Sequence, residues 1–193
     1  MRFTKHRITF SCLHRFSAFF VVRLDGNDAN SGLGPAANQA WASLDKALGA
    51  TGITSGDTVW VAPGDYRRGS TLTVNGTYSS MVYIKGDPTC SQFTGITPGR
   101  ILITSRNTND IGSSNAINPV IDLNSKSFMT WENFIFEQAS LQRAIFHARN
   151  GTDLSFIKCI FVLGGQQQIR AFDVTYAPMV TRNILFSQKA GLS

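Results

Sequence analysis

The chain is poor in the residues that usually announce a chemistry. Among its 193 residues only Cys12, Cys90 and Cys159 are cysteines. That odd, widely spaced set, with no CxxC pair, signals neither a disulfide framework nor a zinc site, and Cys159 inside "SFIKCIFV" reads as a small buried residue. His147 is the only histidine beyond residue 14, so spacing supplies no Ser/His/Asp arrangement. Charged residues make up only 16%. Five basic residues, Arg2, Lys5, Arg7, Arg15 and Arg23, precede the first acid, Asp25, and the remaining basic and acidic residues nearly balance. A nucleic-acid face needs Lys and Arg clustered on the folded body, so the +6 net charge does not indicate one. The apolar run at 16–22 is too short to span a bilayer. "VLGGQQQ" at 162–168 lacks the Lys and the Ser or Thr of a phosphate loop and reads as a turn.

What is present fits one domain, since a chain of this length with 42% hydrophobic residues can bury a sizeable core. Residues 1–20 read as an N-terminal extension or a degenerate secretory signal: the start is basic, but the apolar segment is interrupted and no small-x-small cleavage site follows. The expected location is extracellular or at the cell surface. One helix is expected over about 38–50, with Asn38 as N-cap and Trp41, Leu44, Ala47 and Leu48 on one face.

After it come short strands in two interleaved series. The first runs through 59–64, 82–87, 101–105, 120–124, 144–148 and 171–175, at spacings that suggest a solenoid. The second comprises "WENFIFEQA", "IKCIFVLGG" and "TRNILFSQK", aligned so that Asn133, Cys159 and Asn183 form a polar ladder interrupted by the cysteine. In that alignment Phe134 with Phe136 and Ile160 with Val162 form inward rows, because alternate residues of a strand share a face. Stacked rungs bury what no single rung can. Two-residue hairpin turns, which a sandwich would use, are mostly missing.

The stretch "DGNDANSG", the helix "AWASLDKAL" and then "GDTVWVAPGDYR" resemble the N-terminal entry of right-handed parallel β-helix proteins of the pectate-lyase-like superfamily. The resemblance implies an all-β fold, a right-handed single-stranded parallel β-helix over 21–193 with an N-terminal capping helix and coils from about 57 to 193. The superfamily includes lyases, epimerases, glycoside hydrolases, tailspikes and adhesin-like proteins, so fold does not settle activity. The expected function is a carbohydrate-associated module of a longer secreted or surface protein. The alternative is a polysaccharide lyase or glycoside hydrolase acting on uronate-containing glycans, with its catalytic coils partly or wholly missing.

Lyases of this fold, as the resemblance implies, use an Arg or Lys base, often with calcium to neutralise the uronate carboxylate. Lys158, Arg149 and Arg170 are residues of that type, although an outward Lys or Arg on a solenoid is ordinarily just solvated. The acids Asp122, Glu132, Glu137, Asp153 and Asp173 are dispersed. Asp122 and Asp173 fall on rungs two coils apart with Phe146 between them, too far apart for one ion's shell. No metal or cofactor is therefore expected, calcium entering only under the lyase reading. A glycosidase needs two facing carboxylates, for which Asp122 with Asp173, or Glu132 with Asp153, are the available pairs. Tyr66, Tyr78, Tyr83, Trp131 and Tyr176 can stack on sugar rings only if they face outward, and Trp131 is expected to be partly buried at a strand edge.

The Asn-Gly-Thr sequences at Asn75 and Asn150 match a glycosylation acceptor but are also strong turn signals. The sequence stops just after a repeat strand. From this follow the expectations of a C-terminally truncated β-helix, self-association through an open coil, and no robust lyase or hydrolase activity in the chain alone. "RLDGNDANSGLG" carries four Asp or Asn at close spacing, yet Ala29, Asn30 and Ala36 stand where an EF-hand needs ligands and its glycine. It is expected to be an Asx-rich turn in which Asp28 and Asn30 bind nearby backbone N–H groups.

Overall fold

The computed structural model describes residues 17–108, 119–139, 145–149, 151–163, 172–175, 179–182 and 185–188. After β1 (Phe19–Val22) and the short helix α1 (Leu44–Leu48), the chain visits three parallel sheets in turn. A first circuit lays down β2 (Thr58–Val61), β3 (Gly64–Arg67) and β4 (Leu72–Thr73), one strand in each of sheets A, B and C. A second adds β5 (Val82–Gly86), β6 (Ile101–Thr104) and β7 (Ile121–Asp122). The third adds β8 (Met129–Glu132), β9 (Ile135–Gln138) and β10 (Phe146–Arg149). The fourth adds β11 (Leu154–Ile157), β12 (Ile160–Leu163) and β13 (Phe172–Thr175), followed by β14 (Met179–Arg182) and β15 (Leu185–Gln188). Sheet A reads β1-β2-β5-β8-β11-β14, sheet B β3-β6-β9-β12-β15 and sheet C β4-β7-β10-β13. The protein is thus mostly strand, in parallel sheets with almost no helix, as the all-β reading expects.

Strand alternation turns this topology into a core. Val59, Ile84, Trp131 and Phe156 stand opposite one another across sheet A, Tyr66, Ile103, Phe136 and Phe161 across B, and Leu72, Ile121 and Phe146 across C. All are buried. Circuits nearest the helix contribute mainly aliphatic side chains to these rows, and the third contributes Trp131, Phe136 and Phe146. Phe136 stacks on Phe161 at 5.3 Å and meets Phe146 edge-on at 4.8 Å, geometries that suit aromatic quadrupoles.

The register corrects the sequence alignment by one residue in the fourth circuit. Phe161, not Ile160 or Val162, takes the inward place beside Phe136, while Ile160 and Val162 are half-buried. Glu132 pairs with Ile157, so the following ladder position is held by Lys158 rather than Cys159. A slip of one residue would exchange the two faces of the strand, and enclosing Phe161 and Phe156 outweighs keeping Cys159 in line with Asn133. The first strand series mixes members of all three sheets. The first two members of the second are each two strands joined at a corner: Asn133 and Lys158 adopt left-handed φ values of 63° and 52°. Asn tolerates that conformation better than most residues. Asn133 also donates its side-chain amide to the Gly86 carbonyl, 3.1 Å away. A Cβ on Gly86 would lie 2.6 Å from the Asn133 carbonyl oxygen, so the corner seats directly on that glycine. Asn183 lies outside the described residues.

The helix is shorter than expected. Gln39 and Ala40 both donate their N–H to the Ala36 carbonyl in turns. Trp41 bridges to Val22, giving its N–H to the Val21 carbonyl and accepting from the Arg23 N–H. A residue committed to a strand on both sides cannot sit in a helix, so the helix starts later, with Ser43 as N-cap accepting from the Lys46 N–H. Leu44, Ala47 and Leu48 are buried, and α1 packs on β1 and β4. The Asx-rich segment builds this entry. Asp28 accepts from the Ala42 and Ser43 N–H groups and the Ser43 hydroxyl. Asn30, contrary to expectation, donates, to the Ala37 and Ala40 carbonyls.

The enclosed third-circuit ring sets a first prediction. Phe136→Ala should destabilise the fold by about 3–5 kcal/mol in equilibrium urea unfolding, whereas Ile135→Ala, half-buried on the outer side, should cost well under half as much.

Candidate functional site

With the inward rows assigned, the intervening residues form three outer faces. On sheet C, Thr73 stands beside Asp122, Asp122 beside His147, and His147 beside Asp173. The row therefore reads Thr–Asp–His–Asp on four successive strands, each about 4.8 Å from the next. Phe146, expected between the two aspartates, is fully buried one position earlier. His147 takes that place because Phe146 belongs to the core, and both Asp122 and His147 are half-buried.

Polar side chains continue this face beyond the row. Asp122 accepts from the Asn124 N–H at 2.8 Å, and Asn124 donates its amide to Asn75 one circuit back at 3.4 Å. Lys126 reaches the Thr77 hydroxyl at 3.2 Å. Arg149 lies two positions along β10 from His147, opposite Thr175. Thus Asp122, Asp173 and Arg149 share sheet C, and a histidine not picked out as their partner joins them.

Lys158 is not part of this group. It sits at the corner between sheets A and B, largely exposed, with its ammonium 3.8 Å from Glu132. Glu132 and Asp153 lie at opposite ends of two neighbouring strands of sheet A rather than across a cleft, and Asp153 accepts from the Thr152 hydroxyl. Arg170 and Tyr176 lie outside the described residues. Among the described residues no three His, Cys, Asp or Glu side chains group as ligands for a metal, and no helix is long and apolar enough to cross a membrane.

The other two faces carry charge in different ways. On sheet B, Arg100 grips Asp65 with two hydrogen bonds of 2.9 Å, and Arg67 adds a weaker contact. The Arg100 hydrogen bonds hold the Asp65 carboxyl below the usual carboxylate range despite the opposing effect of partial burial. Glu137 is buried, accepting from the Thr104 hydroxyl at 2.8 Å and from Arg106. This face is held by its own ion pairs.

Sheet A presents Trp60, Tyr83, Lys85 and Glu132, with Lys85 over both rings at 5.6 and 5.5 Å. Tyr66, Tyr78 and Trp131 are buried, so of the aromatic residues considered for sugar stacking Tyr83 is the one facing outward among the described residues. Trp60 carried a usable signal, since in "VWVAPG" it alternates with the inward Val59 and Val61. Cys159 is enclosed, its thiol pushed up to about 11 by burial, which suits a structural rather than a nucleophilic role.

The Asp65 pair gives a pH prediction. A carboxyl depressed in the folded state contributes stability above its unfolded pKa of about 3.9, and this is lost as pH falls through its lower folded value. Arg100→Ala should therefore flatten the dependence of unfolding free energy on pH below about pH 4, read from urea titrations at stepped pH. An unchanged slope would deny the Arg100–Asp65 coupling.

Compared with known proteins, the chain matches no protein family, no curated protein and no solved structure.

Proposed function

We propose that this chain is a polysaccharide-engaging module built as a right-handed parallel β-helix of the pectate-lyase-like kind, and that a glycan lies along the outer face of sheet C. The hand follows from a general preference: crossovers between parallel strands of one sheet are right-handed in nearly all proteins, and every circuit here makes such crossovers. The observation that carries the functional reading is the row Asp122, His147 and Asp173 on adjacent strands. Flanked by Asn75, Asn124 and Lys126, it offers acceptors and donors at the regular interval of the strands, the pattern a hydroxyl-rich polymer laid across them can use.

A hydrolase reading is favoured by the same row. Asp122 and Asp173 occupy paired positions two strands apart, roughly 9.5 Å between backbones, and the carboxyls of inverting glycosidases lie roughly 6.5–9.5 Å apart. In that mechanism one carboxylic acid protonates the leaving oxygen, while the other carboxylate draws a proton from the attacking water. His147, between them, would hydrogen-bond the sugar at the cleavage point. The lyase reading would instead use Arg149 as base, with calcium held beside the uronate carboxylate.

Incubation with polygalacturonate and with neutral galactan separates these readings. Affinity electrophoresis should show retention by at least one polymer, weakened about tenfold or more by Asp122→Asn or His147→Ala, a loss of about 1.4 kcal/mol. Release of reducing ends lost in Asp122→Asn and Asp173→Asn identifies the hydrolase, and release of ultraviolet-absorbing unsaturated uronides identifies the lyase. Retention by neither polymer would sink the polysaccharide reading.

A further inference from the structure

The outer face of sheet A contains a second group of residues with no part in the row on sheet C. Two tracks run across it from strand to strand. One is Tyr83, Thr130 and Ser155; the other is Trp60, Lys85 and Glu132, with Lys158 at the corner just beyond. Tyr83 is 37% exposed, and next to it the track continues with the short side chains of buried Thr130 and half-buried Ser155, so the surface beside the ring is low. Trp60 is half-buried beside it.

The charges on this face do not balance. Glu132 is the one carboxylate between Lys85 and Lys158, with each ammonium 3.8 Å from one of its oxygens. That distance is too long for a direct hydrogen bond, so two cations share one anion loosely. Lys85 is held in place by the faces of Trp60 and Tyr83 rather than by an acid at close range. An ammonium supported by rings and only loosely paired keeps N–H donors for an external acceptor. Lys158 lies one position beyond β11, which is two strands from the strand of Lys85 and about 9.5 Å from it between backbones, so one extended anionic polymer can reach both.

We infer that the outer face of sheet A is a second polysaccharide surface, selective for acidic sugars, in which Tyr83 supports a sugar ring and Lys85 and Lys158 receive carboxylates. The inference rests on the polysaccharide reading but assigns it a different face and a ligand charge. Selectivity follows because a neutral sugar can use the ring but cannot compensate the unbalanced ammonium.

The test compares the full chain with Lys85→Ala/Lys158→Ala, the charge-preserving Lys85→Arg/Lys158→Arg and Tyr83→Ala, after thermal melts establish that each is folded. The probes are polygalacturonate and neutral galactan at low and high salt. The alanine pair should lose about tenfold or more in affinity for polygalacturonate, equivalent to ~1.4 kcal/mol, and lose most of the salt dependence. The arginine pair should restore binding.

Polygalacturonate bound equally by the chain and the alanine pair would overturn this inference while leaving the polysaccharide reading in place. So would an equal loss for both polymers. A concentration-dependent dimer abolished by Tyr83→Ala would also overturn it, by making the face an interface between copies. Failure of the unaltered chain to retain either polymer would overturn both.

Discussion

Parallel pairing between strands one circuit apart is the constraint on which the rest of the structure depends. A single circuit contributes one short strand to each sheet and cannot enclose its own apolar side chains. Only when Ile84 meets Trp131 and Trp131 meets Phe156, with Phe136 on Phe161 beside them, does a dry interior exist. The backbone is satisfied by the same stacking, since the N–H and C=O groups of each inner strand are met by the circuits on either side. Stability in such an array is roughly a sum of contacts between neighbouring circuits, which gives the third circuit particular weight: its Trp131, Phe136 and Phe146 face both neighbours. This order is maintained at a cost, because the enclosed Trp131 indole N–H has no hydrogen-bond partner, a burden of roughly 1–3 kcal/mol for a buried polar group.

The same pairing arranges the outer faces. An outward residue acquires its neighbours from other circuits, not from its own sequence vicinity, so Asp122, His147 and Asp173 come together although about 25 residues separate each from the next. Sheet A brings Lys85 to Glu132 in the same way, and sheet B brings Arg100 to Asp65 and Arg106 to Glu137. On sheet B opposite charges meet closely and neutralise one another. On sheet A two ammoniums share one carboxylate at a distance. On sheet C an imidazole lies between two aspartate positions. Three faces of one array therefore have different chemical capacities, and ligand recognition can be sought on each separately.

The entry segment shows how a sequence feature that suggests ligand binding can be consumed by folding. Asp25 is paired with Arg23, Asp28 is saturated by the start of the helix, and Asn30 spends both amide hydrogens on carbonyls of the loop. These groups hold α1 over the first circuit. A cation would have to compete with bonds that position the helix, so the segment is better understood as the cap's framework than as a binding loop.

Local sequence determined that the chain would be dominated by strands, that a helix containing Leu44, Ala47 and Leu48 would precede them, and that repetition would replace hairpins. Alternation of side chains and the shortage of hairpin turns are properties of a few consecutive residues, so they could be read directly. The helix start could not: Trp41 is drawn into a bridge with Val22, a partner well before it in the chain. Register was decided only by the assembled circuits. Asn133 resembles Cys159 in local context as closely as it resembles Lys158, and enclosing Phe156 and Phe161 is what selects Lys158. That single-residue choice turns Ile160 outward and puts Phe161 inside, and on sheet C the burial of Phe146 separately leaves His147 between two aspartate positions. Which side chains can act together was therefore a tertiary decision, because burial of the inward rows fixes which residues remain outside and which strands they meet.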